Sequence, residues 1–334
     1  MSLIILGRKS FDRCLAGTAV LVTAMLAACS SGPTIPPAAE TPLSKQAMML
    51  LGRKGMEPTA PIYIRVFKEE SELEVWKARS DGRYYHYKTY PICNWSGGLG
   101  PKLVEGDKQA PEGFYPVHKS QMKPDSNYHV AFNLGFPNAY DKANGRTGSF
   151  VMVHGKCKSA GCYAMTDALI DEIYALARES IKGGQETFHV HAFPFHMTDA
   201  RMAEHKKNQW YPFWNVLKQG YDAFETTRMP PEVAVCERRY VVNVKVPQTS
   251  IAPEGACPRF ERVKLEPFKP LPSEENLSKE RVTELGHKMH GVDLDTVPKD
   301  KAMALGMITG KRGAAAEAAA GDADAARLPG LAQY

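Results

Sequence analysis

A histidine and a cysteine eight residues apart, His154 and Cys162, bracket the loop Gly155-Lys156-Cys157-Lys158-Ser159-Ala160-Gly161. The apolar run Phe150-Val151-Met152-Val153 leads into the histidine, and a helical pattern opens soon after the cysteine. A cysteine that attacks a carbonyl needs a base to take its proton and N–H donors for the charge that develops on oxygen. A strand-end histidine and a glycine-preceded cysteine ahead of a helix can supply all three. An imidazole beside the thiol would also lower its pKa through an ion pair. Help from a helix dipole should be small, because the expected cap, Thr166, lies four residues beyond Cys162.

The elements that must hold this pair are β-rich. Residues 61–68 alternate Ile62, Ile64 and Val66 with Tyr63, Arg65 and Phe67, a strand pattern. Residues 73–77 and 84–90 flank Ser80-Asp81-Gly82 as a hairpin. Further strands are expected at 114–118, 128–132, 150–154, 187–192 and 233–246, the last broken near Glu237-Arg238. Thr166 caps a helix to about Lys182, with Leu169, Ile173 and Leu176 in phase and Gly183-Gly184 as its stop. Short helices are expected at 44–52 and 198–207. A longer one over 209–226 buries Trp210, Phe213, Trp214 and Leu217 as core. The pattern is mainly β with helices inserted late, an α+β domain over residues 58–246.

The flanks differ from that body. Arg8, Lys9 and Arg13 precede an apolar run from Leu15 to Ala28 with the proportions of a secretory segment. Its ending, Leu26-Ala27-Ala28-Cys29, resembles a bacterial lipobox, in which Cys29 is lipidated. Residues 1–28 then form a lipoprotein signal peptide, and 29–57 a lipid-anchored tether ending in the short helix. Ser30 after the cysteine resembles lipoproteins of the outer membrane, so the expected place is the periplasm, on a lipid anchor. Residues 247–334, rich in Pro and then Ala, read as a largely disordered tail. The net charge of +5 is mild and falls to about +3 once residues 1–28 leave. Nothing in it argues for nucleic acid.

Five cysteines remain in the exported chain, Cys93, Cys157, Cys162, Cys236 and Cys257. An odd count in an oxidising compartment leaves one thiol over. With Cys162 free, four cysteines allow three connectivities, of which Cys93–Cys157 with Cys236–Cys257 is preferred.

Taken together, the His-Gly strand end, the Ser159-Ala160-Gly161-Cys162 motif and the following helix resemble the L,D-transpeptidase catalytic domain, the YkuD fold. The segments PICNWSGGLGPK, APEGFYPV, GFPNAYDKANGRTGS and AFPFHMTD resemble one subgroup, the YafK or DpaA type, over about residues 61–240. That resemblance implies a β-sandwich or barrel, Cys162 as nucleophile and His154 as base. It also implies the N–H groups of Gly161 and Cys162 as an oxyanion hole, in a loop shaped by Gly155 and Ser159. The implied reaction is acyl transfer at meso-diaminopimelate in peptidoglycan stem peptides through a Cys162 thioester, with no cofactor. The subgroup includes an amidase that frees a wall-linked outer-membrane protein.

Two departures bear on substrate. The His–Cys connection is shorter than in most of the superfamily. Tyr163-Ala164 also stands where a hydrophobic residue and an arginine usually follow the cysteine. An arginine would grip a substrate carboxylate, so Arg146 or Lys102 is expected to replace it, with Asn138, Tyr140 and Tyr163 lining the cleft. Three other readings stay open: a cross-linking transpeptidase, a peptidoglycan-binding lipoprotein without catalysis, and a papain-like pairing of Cys162 with His189 or His191. Zinc on His154, Cys157, Cys162, His189 and His191 lacks the usual paired spacing, so no metal is expected.

Overall fold

A computed structural model of the chain describes residues 37–245 and 251–269, with two short paired segments at 288–289 and 292–293. The expected secretory segment, the expected lipobox at Cys29 and the alanine-rich tract lie outside the described residues.

In chain order, helix α1 (Lys45–Arg53) precedes strands β1 (Ile62–Phe67), β2 (Glu72–Ala78), β3 (Tyr84–Pro91), β4 (Asn94–Trp95), β5 (Gly113–His118), β6 (Met122–Lys123) and β7 (Ala131–Asn133). Helix α2 (Ala139–Ala143), β8 (Met152–His154), β9 (Tyr163–Ala164), α3 (Asp167–Lys182) and β10 (Thr187–Phe193) follow. The last elements are α4 (Asp199–Glu204), α5 (Tyr211–Thr227), β11 (Val233–Cys236), β12 (Arg239–Val242), β13 (Val244–Lys245) and β14 (Glu261–Arg262). Two five-stranded mixed sheets carry the fold, ordered β3-β2-β1-β10-β5 and β4-β9-β8-β7-β6. Neighbouring strands are antiparallel except β1 with β10 and β8 with β9.

The main core lies between the two sheets and around α3. It gathers Ile62, Ile64 and Val66, Tyr115 and Val117, Phe132, Val153 and Tyr163, and Leu169, Ile173 and Leu176. Thr166 caps α3 by accepting from Leu169 N, as its sequence predicts. β1 departs from its half-polar pattern, since all six of its residues are buried. Its second face, Tyr63, Arg65 and Phe67, is covered by α5. The Arg65 guanidinium lies 4.8–5.4 Å from the rings of Phe67, Trp76, Tyr221 and Phe224. It donates to Glu74 at 2.7 and 2.9 Å and to Glu225 at 2.6 Å. Burial would raise the Glu74 carboxyl, yet Arg65 beside it holds the group at about 2. A Cβ on Gly220 of α5 would stand 2.6 Å from the Phe114 ring, so only glycine lets the helix approach the sheet this closely.

The ordered body runs past both expected boundaries. α1 puts Leu50 and Leu51 into the main core, and Arg178 of α3 donates to the carbonyls of Ala39 and Thr41 at 2.5 and 2.9 Å. Beyond residue 246, Cys257 is bridged to Cys236, β14 pairs with β13, and Phe268 meets Tyr85 edge-on at 5.5 Å. Apolar contact and a covalent link order residues 251–269 where composition alone suggested a loose tail.

Candidate active site

β8 and β9 run parallel, with Val153 opposite Tyr163 and His154 opposite Ala164. Side chains alternate across a strand. Val153 and Tyr163 therefore turn into the core, where both are fully buried, while Met152, His154 and Cys162 take the opposite face. There they line one cavity of about 510 Å³ with Lys123, Asp125, Ser126, Asn127, Tyr128, Phe150, Lys158 and Ala160. The loop joining base and nucleophile is pinned behind them. Cys157 is bridged to Cys93, its N–H donates to Met165 O at 3.1 Å, and Met165 N–H donates to His154 O at 2.7 Å. Cys236 pairs with Cys257, and Cys162 is the free cysteine of the described residues.

His154 Nδ1 donates to the Gly155 carbonyl at 2.6 Å. The carbonyl can only accept, so the neutral ring carries its proton on Nδ1 and leaves the Nε2 lone pair free. Burial lowers the His154 pKa, opposed by the Gly155 carbonyl and the Asp167 charge. Burial pushes the Cys162 thiol up, only partly offset by a backbone hydrogen bond at Met152 and the charge of Lys102. Both shifts favour the neutral forms. Both directions run against the ion pair expected from sequence. The thiol Sγ lies 3.7 Å from the carbonyl oxygen of Phe150, a non-glycine residue at φ 52° that lines the cavity and is 70 % exposed.

Ser159 organises the turn. Its Oγ accepts from Gly161 N at 3.2 Å and Cys162 N at 3.1 Å, and donates to Cys162 O at 2.7 Å. The two amides expected to serve an oxyanion are therefore committed within the loop in this conformation, and Ser159 is not among the cavity-lining residues. Gly161 takes φ 122°, which favours glycine, and Gly155 is held by packing. A Cβ there would meet Asp167 Oδ1 at 2.6 Å and His129 Cβ at 2.9 Å.

Five expected cleft residues do not line this cavity. Tyr163 is fully buried and donates to Pro111 O. Asn138 caps α2 through Asp141 N and gives its amide to Phe114 O and Tyr240 Oη at 2.9 and 2.7 Å. Tyr140 stacks between Tyr240 and Phe213. Arg146 is paired with the buried Asp141 at 2.8 Å and lies over Tyr140 and Phe213. Lys102 bonds Asp107 and the Val104 carbonyl. Each is absorbed by packing. His189 and His191 sit on β10 beside Tyr63 and Arg65, with His191 bonded to Tyr63 Oη at 2.8 Å against Phe114. Neither lines the cavity. Trp214 is buried, with Nε1 donating to Glu112 at 2.8 Å, a core role as expected.

The wall at residues 123–128 is the part that sequence reasoning missed. After Lys123 of β6 it follows neither strand nor helix, and the strand expected from 128 begins only at Ala131. It is fixed by Tyr128 O accepting from Gly155 N at 3.0 Å, Asn127 O accepting from Lys156 Nζ at 2.6 Å, and His129 Nε2 meeting Asp171 at 2.7 Å. Among the described residues, no group of three His, Cys, Asp or Glu side chains is placed to hold a metal.

Residues 61–185 match the family model for the L,D-transpeptidase catalytic domain, YkuD. A relative from Escherichia coli, named "Putative L,D-transpeptidase YafK", is 46% identical over 217 residues, which is 65% of this chain and 85% of the relative. The chain belongs to the L,D-transpeptidase family. Among solved structures, the helical cell shape determining protein Pgp2 from Campylobacter jejuni aligns over 57% of this chain and 80% of its own, at 17% identity and TM-score 0.32. Bd1075 of Bdellovibrio bacteriovorus aligns over 57% and 64%, at 21% identity and TM-score 0.29.

Proposed function

We propose that the chain is a cysteine acyl-transfer enzyme cutting peptidoglycan peptide bonds at meso-diaminopimelate, as an amidase that releases a wall-linked protein. The observation that carries this reading is the free Cys162 thiol sharing a cavity with a histidine whose Nε2 is unprotonated.

As Sγ attacks the carbonyl carbon, its proton passes to His154 Nε2. The tetrahedral intermediate collapses, the C–N bond breaks, and the amine leaves with the proton from Nε2. The Cys162 thioester remains. Water, giving its proton to the same nitrogen, then releases the acid and restores the thiol. Because burial disfavours both charged forms, proton transfer in concert with attack is favoured over a preformed ion pair. Tyr163-Ala164 in place of the usual hydrophobic residue and arginine supports an amidase over a cross-linking enzyme.

A second reading, transpeptidation, is favoured by the family and the relative's name; it differs only in an amine replacing water. The enzyme works in the periplasm, held to the outer membrane through lipid on Cys29. Incubating muropeptides joined to a lysine-containing peptide with wild type and Cys162→Ala tests the proposal. Free peptide from wild type alone supports the amidase, and new diaminopimelate cross-links support the transpeptidase. Neither product would rule out both.

A further inference from the structure

Among the described residues, four buried cations are held in ion pairs. Arg65 is held by Glu74 and Glu225, Lys68 by Glu112, Lys102 by Asp107 and Arg146 by Asp141. Lys123 and Lys158 differ. Both line the cavity that holds Cys162 and His154, and neither ammonium is in an ion pair among the described residues. They come from separate segments. Lys123 ends β6, and Lys158 lies in the loop between base and nucleophile.

The segments that carry the two lysines are fastened to one another by Lys156 Nζ on Asn127 O and Gly155 N on Tyr128 O. We propose that Lys123 and Lys158 form the anion subsite of this cavity and receive one free carboxylate of the acyl donor, so that they determine specificity. The inference rests on the acyl-transfer reading of Cys162. Against the two ammonium groups stands the one carboxylate of Asp125, a net charge of +1 on these three side chains that matches a single carboxylate. Ser126 and Asn127 add neutral partners beside it. The subsite supplies by two ammonium groups what an arginine after the cysteine would supply by one guanidinium.

The test uses the full chain carrying Cys162→Ala, so that binding is read without turnover. The probes are a meso-diaminopimelate tetrapeptide with its side-chain carboxylate free and the same tetrapeptide as the carboxamide, titrated by calorimetry. The free acid should bind roughly tenfold more tightly than the amide, the scale of a charge-assisted hydrogen bond partly screened by water. Lys123→Met with Lys158→Met should bring the two probes to equal affinity, and Lys123→Arg with Lys158→Arg should restore the difference. Unchanged melting curves of the variants show that the fold is intact.

Equal binding of acid and amide by the parent, a preference that survives the double methionine variant, or no binding of either probe overturns the subsite. The acyl-transfer reading is checked separately by mass spectrometry of the wild-type thiol exposed to the same peptides. Acylation without acid preference would remove the subsite and keep the reaction. Preferential binding without acylation would do the reverse.

Discussion

Replacing Ser159 by alanine removes one oxygen and four hydrogen bonds, three within the loop, to Gly161 N, Cys162 N and Cys162 O, and one with Ser96 Oγ at 3.3 Å. A net protein hydrogen bond contributes about 1 kcal/mol, and water can replace part of that here because Ser159 is only half-buried. The variant should thus lose about 1–2 kcal/mol of order in the loop that aims the thiol. If the misplacement is felt in full at the transition state, kcat falls about 5–30-fold. Global stability should change little, because the same loop is tied independently by the Cys93–Cys157 bridge and by Cys157 N on Met165 O. Ser159→Thr keeps the hydroxyl and should recover most of the rate. The assay is single-turnover release of the lysine-containing peptide from muropeptide, alongside a thermal melt. A Ser159→Ala variant as fast as wild type, or faster, refutes the reasoning. That result would mean that the Gly161 and Cys162 amides are needed by the oxyanion and that Ser159 competes for them.

With burial pushing the thiol above its ordinary 9.0 and the imidazole below its ordinary 6.5, alkylation of Cys162 by iodoacetamide should rise through an inflection above pH 9. The acid limb of kcat/KM should fall below pH 6.5, where His154 takes up a proton; an alkylation inflection under pH 7 would restore the ion pair. Cys93→Ser opens a bridge between residues 64 apart and should cost about 4 kcal/mol of stability by loop entropy, read as a lower denaturant midpoint without reductant. Arg146→Met strands the buried Asp141 and should cost about 3–5 kcal/mol in the same measurement. KM should hold, and a tenfold rise in KM at unchanged stability would return Arg146 to the site.

What the sequence made legible is local. Thr166, the Leu169-Ile173-Leu176 spacing and Gly183 define α3 almost to the residue, because caps and helical period act within a few positions. β1 was located, yet its second face looked half-polar. Arg65 reads as a surface residue until Glu74, Glu225 and α5 are brought around it by the tertiary fold. Asn138 and Tyr140 carried site-like chemistry that packing consumed. The Asn138-Ala139-Tyr140-Asp141 capping box was the available signal for that outcome. The 123–128 wall was hidden for the opposite reason. It is an irregular segment made into a surface by bonds to Gly155, Lys156 and Asp171, partners 27 to 42 residues away in sequence.

The claim on which the rest depends is that Cys162 carries the acyl group and His154 moves its proton. Acid quenching of wild type with a meso-diaminopimelate muropeptide, followed by peptide mapping in a mass spectrometer, tests it directly. An acyl adduct on the Cys162 peptide that hydroxylamine removes is expected, absent in Cys162→Ala and formed at least a hundredfold more slowly in His154→Ala, the lower end of general-base catalysis. Turnover that proceeds with no adduct on Cys162, or an adduct that forms at the wild-type rate without His154, would contradict it.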